Sequence, residues 1–251
     1  MDIQTAIFLS ATGLLGGVVN AIAGGATLLT FPAMLAVGLP PLTANASNAI
    51  AVIPGHLIAA LADHRRLPAL DLGLVATVAV AIAGGATGAG LLLVTPERSF
   101  TALVPALIGF ATLIFAYGHR IQAVVSRRYR SRDGVVRNAL LLPTAIYGGY
   151  FGAGLGVMLL AILTIAGLNE IRAVNALKNL LATAVSLIAL IIFASEGLVR
   201  WPETSAMLAG TLVGGALGGK LIAVLKPALV RSLVIAAGWS MTAIYAWRYW
   251  L

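Results

Sequence analysis

The chain has 251 residues, 60% of them hydrophobic and 10% charged, with a mean hydropathy of +1.01. A soluble domain of this length carries about a quarter charged residues, so this balance excludes a water-soluble fold and a single-anchor protein and points to a polytopic membrane protein. There is no cysteine, which removes disulfides, thiolate catalysis and cysteine-based metal sites, and the net charge of +8 is unevenly distributed, which makes it a topology signal first.

The opening Met1-Asp2 lacks the basic run of a cleaved signal, so the first apolar segment is expected to remain as a span. Charges, prolines and polar clusters divide the first half into apolar segments at 5–22, 24–38, 43–62, 71–94 and 100–118. The second half divides at 138–153, 154–168, 172–196, 203–223 and 230–249. A full helical span needs about 20 residues. The segments 24–38 and 154–168 are shorter, and each begins at a glycine cluster, so they read as half-helices or re-entrant pieces. The expected fold is all-α, with eight to ten crossings.

The longest polar stretch, His119 to Arg137, holds six arginines against Asp133 alone. It is expected to be a cytoplasmic loop obeying the positive-inside rule. A nucleic-acid surface is set aside, because no folded binding module accompanies it. The chain then divides into an N-terminal transmembrane repeat (1–118), a basic cytoplasmic loop (119–137) and a C-terminal transmembrane repeat (138–251). With the loop inside and every segment crossing, the N-terminus lies outside. The "DHRR" turn at Asp63 and the region from Lys220 to Arg231 lie inside, and the two halves take opposite orientations.

Sliding the sequence by 130 residues brings Gly24 onto Gly154, Asn45-Ala46 onto Asn175-Ala176, and "GGATG" at Gly84 onto "GGALG" at Gly214. Gly38-Leu39 meets Gly167-Leu168 at an offset of 129. Matches in corresponding segments of oppositely oriented halves are the pattern of an inverted-topology repeat. In such transporters paired broken helices frame a site near the membrane midplane. Here the breaks are Asn20 to Pro32, containing "VNAIAGGAT", and Gly148 to Gly156, "GGYFGAGLG". The "GGATG" and "GGALG" glycines are expected at close helix contacts instead.

No catalytic set emerges. His64 and His119 fall in polar turns, and His56 stands alone after Pro54-Gly55. There is no HExxH, GxSxG or Walker A motif, and the eight acids lie at segment ends or in loops. The reading is therefore of a protein that is not an enzyme, with no catalytic residue, no metal site and no cofactor.

The segments do contain uncharged polar groups and one cation. "TANASN" supplies Asn45 and Asn48 after the first break, and "RAVNALKN" supplies Asn175, Lys178 and Asn179 after the second. Asn175 and Asn179 share a helix face, with Lys178 beside them. A lysine in an apolar segment without an acidic partner fits an anionic solute, which helix N-termini and asparagine amides also attract. The candidate substrate-binding residues are Asn20, Gly24, Gly25, Thr27, Asn45, Asn48, Gly154, Gly156, Asn175, Lys178 and Asn179. The plainer alternatives are interhelical glue for the asparagines and an interfacial, snorkelling Lys178.

The stretches from Gly13 to Ile50 and from Gly148 to Ala182 resemble the TauE/SafE family of sulfite exporter-like permeases, and the resemblance extends over essentially the whole chain. It implies a bacterial inner-membrane, multi-pass transporter of small sulfur-containing anions, sulfite or organosulfonates. The sequence departs from the family's commoner Gly-Gly-Gly run with "GGAT" and "GAGLG". The expected function is a secondary transporter of a small anion, working by alternating access at the interface of two inverted repeats. The alternatives are a passive anion channel of the same fold or a transporter of an unrelated small solute. Expected partners are a small anionic solute and membrane lipids, with room for a homo-oligomer.

Overall fold

The computed structural model describes residues 1–22, 25–62, 64–68, 71–128, 134–168, 170–221 and 226–251. Among them there are ten α-helices, one 3-10 turn at His64–Arg66 and no strand. The first five helices are α1 (Ile3–Ile22), α2 (Thr27–Ala36), α3 (Pro41–Ala62), α4 (Leu72–Val94) and α5 (Glu97–Arg128). The second five are α6 (Gly134–Tyr150), α7 (Leu155–Ile165), α8 (Ile171–Ser195), α9 (Trp201–Leu221) and α10 (Pro227–Trp250).

Acidic side chains start three of them. Asp2 accepts from the Thr5 amide (2.9 Å), Asp71 from Leu74 (2.7 Å) and Glu170 from Ala173 (2.9 Å). Each satisfies a first-turn N–H that has no intrahelical partner, and brings negative charge to the positive end of the helix dipole. Six helices, α1, α3, α4, α5, α8 and α10, are long and apolar enough to cross a membrane by length and composition. Large apolar side chains such as Ile7, Leu72, Leu91, Ile191, Leu233 and Trp247 remain exposed on the outside of the bundle, where lipid suits them and water would not. This is a multi-pass membrane protein.

The two short segments are half-helices. α2 has 10 residues and α7 has 11. At 1.5 Å per residue each reaches about 15–17 Å, roughly half of the ~30 Å hydrocarbon layer. Both end in the same cap. The Gly38 amide bonds to Leu35 O and Leu39 to Met34 O; the Gly167 amide bonds to Thr164 O and Leu168 to Leu163 O. These pairs form the 6→1 and 5→2 bonds of a Schellman motif, closed by a glycine at φ +89° in one half and +83° in the other.

One expected boundary moves. The stretch beginning at His119 was expected to be loop, but α5 continues as helix to Arg128 and α6 already begins at Gly134. Nothing between His119 and Arg128 is glycine or proline, and the charge that expels a segment from lipid does not unwind it.

The helices of the two halves are intermixed. α1 packs along α9, and α6 along α4. The pairings α3–α9, α2–α3, α1–α2 and α2–α10 likewise have counterparts α8–α4, α7–α8, α6–α7 and α7–α5, while α3–α8 and α5–α10 are their own counterparts. Directions can be read from the contacts. Gly13 faces Met207, Gly17 faces Thr211 and Gly218 faces Val18, so α1 and α9 run parallel. Gly84 faces Leu142 and Ala145, and Gly88 faces Ile146 and Tyr150, so α4 and α6 run parallel. Gly109 lies against Thr242, Gly238 against Thr112, and Arg231 donates to Phe115 O, so α5 and α10 run antiparallel.

The glycines of "GGATG" and "GGALG" sit in these seams, as their composition suggested. A Cβ on Gly84, Gly88, Gly214 or Gly218 would run into the facing helix, whereas Gly215 faces open space. Phe31, Phe100, Phe115 and Phe193 are fully enclosed in the core that unites α2, α3, α5 and α8.

Candidate functional site

The two chain breaks meet on α5. Gly24 lies outside the described residues. Gly25 has φ +91°, and a Cβ there would stand 2.8 Å from the Phe115 ring. Gly154 caps α7 at φ +82°, and its Cβ would meet Ile114 (3.4 Å) and Ala111 O (3.7 Å). Only glycine takes this left-handed backbone without strain and still allows so close an approach. Phe31 of α2 and Phe151, just before α7, pack edge to face with centroids 5.2 Å apart. The N-terminal ends of both half-helices therefore approach one another across a single turn of α5, half-buried Thr27 at one start and Gly154 at the other. Beside Gly156 a Cβ would meet nothing within 4 Å, so there is space at this end of α7. Amides at helix N-termini have no helical acceptor and suit an anion.

A second group of predicted residues gathers around Lys178. Its ammonium donates to Asn175 Oδ1 (3.2 Å). On the next position Asn179 Oδ1 lies 3.5 Å from His56 Nδ1, across the α3–α8 contact. Lys178 is within electrostatic range of the same imidazole. Asn20, at the end of α1, covers Gly55: a Cβ there would be 2.8 Å from Asn20 Nδ2. α3 and α8 thus bring together His56, Asn175, Lys178 and Asn179, with Asn20 of α1 against the neighbouring Gly55. Among the described residues the one ion pair is Arg200–Glu203 (3.6 Å), so Lys178 has no carboxylate partner there.

His56 corrects the sequence reading, which left it standing alone. It was missed because the register of α3 against α8 is a tertiary fact, and no spacing within the chain announces it.

Asn45 and Asn48 go elsewhere. Asn45 donates from Nδ2 to Tyr150 O at the end of α6 (2.8 Å), and its own Oδ1 is buried without a donor. Asn48, one turn further along α3, also has a buried Oδ1 without a donor. Between them Ser47 Oγ accepts the Arg200 amide (3.0 Å). The predicted set therefore divides by chemistry. The Lys178 group offers an ammonium, amides and an imidazole, which can bind an oxyanion. The Asn45–Asn48 pair offers oxygens.

Comparison with known proteins bears on what such a bundle does. The family described as "Sulfite exporter TauE/SafE" matches residues 9–244. A Haemophilus influenzae protein named "Probable membrane transporter protein" is 29% identical over 246 residues, spanning 97% of this chain and 95% of its own length. The Escherichia coli K12 protein named "Probable membrane transporter protein YfcA" is 28% identical over 233 residues, spanning 92% of this chain and 85% of its own. A Sinorhizobium protein of similar name is 27% identical over 251 residues. No solved structure matches the chain.

Proposed function

The chain belongs to the sulfite exporter TauE/SafE family of membrane transporters, and on that premise we propose that it is a secondary transporter of a small oxyanion, sulfite or an organosulfonate, in a bacterial inner membrane. The observation that carries the anion is the group around Lys178. A half-buried ammonium whose partner among the described residues is a neutral amide oxygen is an electrostatic mismatch that an anion relieves. On arrival the oxyanion would take the ammonium from Asn175 Oδ1 and accept further donation from the amides of Asn20 and Asn179. Charge-assisted hydrogen bonds of this kind are roughly twice as strong as neutral ones.

Alternating access is the companion part of the reading. The exchange of pairings between the halves, and the antiparallel run of α5 against its counterpart α10, support an inverted repeat, which can rock about a fixed site. The test is uptake of labelled sulfite into proteoliposomes, with sulfonates, sulfate and thiosulfate as competitors. Saturable uptake with counterflow is expected. Lys178→Ala should reduce it at least about 30-fold, equivalent to about 2 kcal/mol, while the protein still accumulates and folds. Wild-type uptake by that variant would take Lys178 out of the site, and uptake without counterflow would sink the carrier reading.

A further inference from the structure

We propose that the start of α3 and the end of α6 together hold a sodium ion, through Asn45 Oδ1, Asn48 Oδ1 and the last carbonyls of α6. α6 stops at Tyr150, where the chain breaks before α7. Of its last four carbonyls, Tyr147 O is taken by the Phe151 and Gly152 amides, and the three beyond it, on Gly148, Gly149 and Tyr150, form the negative end of the helix dipole. Tyr150 O is the one that Asn45 Nδ2 contacts, at 2.8 Å. That bond fixes the orientation of the amide and leaves Oδ1 as the free atom. Asn45 and Asn48 are each only 1% exposed, and neither Oδ1 has a donor. Being three residues apart on one helix, the two oxygens lie on the same face.

A buried acceptor without a partner costs about 1–3 kcal/mol, and two such atoms one turn apart ask for a common positive partner. The neighbouring groups do not supply it. The Ser47 hydroxyl accepts the Arg200 amide and makes no hydrogen bond to either oxygen, and the Tyr150 hydroxyl points to Thr95 Oγ1 at 3.4 Å. A set made only of oxygens selects a hard cation. The charge selects a monovalent one. The amides and carbonyls are neutral, and the carboxylate of this region is Glu203, in the first turn of α9, whose preceding Arg200 amide is anchored on Ser47 beside Asn48. Glu203 is 6% exposed, its Oε2 has no hydrogen-bond donor, and Arg200 offsets it only from 3.6 Å. Amide oxygens do not titrate in the physiological range, so a proton has no seat on Asn45 or Asn48. An ion held by carbonyls at a broken helix is a recurrent arrangement for coupling ions.

That the ion drives the anion down its own gradient rests on the transporter reading; that it binds does not. The experiment therefore measures binding without any anionic solute. Purified protein is melted in sodium, potassium or N-methylglucamine chloride at constant ionic strength, and ²²Na⁺ binding is measured in parallel. Saturable stabilisation by sodium, with little from the other two, is expected. Asn45→Ala and Asn48→Ala should each weaken the sodium midpoint at least tenfold, while Thr87→Ala on the exposed face of α4 leaves it unchanged. If the alanine variants do not accumulate, Asn48→Asp, of equal size, should tighten it at least tenfold. Equal stabilisation by all three cations, or a midpoint indifferent to Asn45 and Asn48, would overturn the site. Stabilisation that follows pH and ignores sodium would assign the region to a proton on Glu203, and would equally overturn it.

Discussion

Single side chains at the two polar groups have opposite chemistry, and substitutions should separate them. Gly55 shows how closely the anion-facing group is fitted. A methyl there would stand 2.8 Å from Asn20 Nδ2, the far end of a flexible side chain. Gly55→Ala should therefore turn Asn20 aside without unfolding the protein, since alanine favours the helix by about 1 kcal/mol. The expected result is a several-fold rise in KM for the anion with an unchanged or slightly raised melting temperature; an unchanged KM would remove Asn20 from the site. At the other extreme, Asp2 is a purely local device. Its hydrogen bond from Thr5 holds the carboxyl below the usual carboxylate range. A carboxyl depressed on folding stabilises the capped state above its ordinary pKa, and that contribution fades as pH falls through the lowered one. Hydrogen exchange at the Thr5 amide should be slowed at neutral pH and lose that protection as pH falls below the usual carboxylate range.

Helices, taken as units, meet through surfaces that glycine keeps flat. Along α1 and α9 the backbones of Gly13, Gly17, Gly210 and Gly214 face the opposite helix so closely that a Cβ on any of them would overlap its main chain. Main chain cannot step aside as a side-chain tip can, so Gly214→Leu should cost well over the 1–3 kcal/mol typical of overpacking. Gly215→Leu, one position away and facing open space, should cost little. Thermal melting of the two variants in detergent checks this contrast, and equal losses would disprove it.

Much at this scale was legible in the chain. Gly38-Leu39 and Gly167-Leu168 matched at a fixed offset because both close the same Schellman cap. The short segments were visible because half a bilayer needs half a helix. α5 was cut too short because hydropathy reports where lipid ends, whereas α5 carries on past that point to Arg128. The splitting of the asparagines was not legible either. Asn45 and Asn175 occupy matching positions, yet one meets a carbonyl and the other a lysine, and only the packing of α6 and α8 decides which.

For the whole molecule, the arginine-rich stretch and the helix directions make one topological statement. If the end of α5 faces the cytoplasm, the start of α10 must face it too, because α10 runs antiparallel to α5. The end of α8 must then face the opposite side. The chain has no cysteine, so single cysteines can be placed without background. In intact cells an impermeant maleimide should label Glu196→Cys, and should reach Lys226→Cys only after the membrane is opened. Labelling of both from outside would contradict the assigned orientation.

The exchange of partners between the halves has a consequence for how the protein is made. The Ser10 hydroxyl donates to Ala206 O, 196 residues later in the chain. At ribosomal speeds of about 5–20 residues per second, α1 waits on the order of 10–40 s in the membrane before the helix it is shaped for has even been synthesised. During that interval its glycine face is open to any other helix, which makes the newborn first half a natural client for insertion chaperones and membrane proteases. Neither half expressed alone should survive, whereas two fragments divided between Arg128 and Gly134 and produced together should find each other and accumulate. If the first half alone proved stable, the seam between α1 and α9 would not be what holds the molecule together.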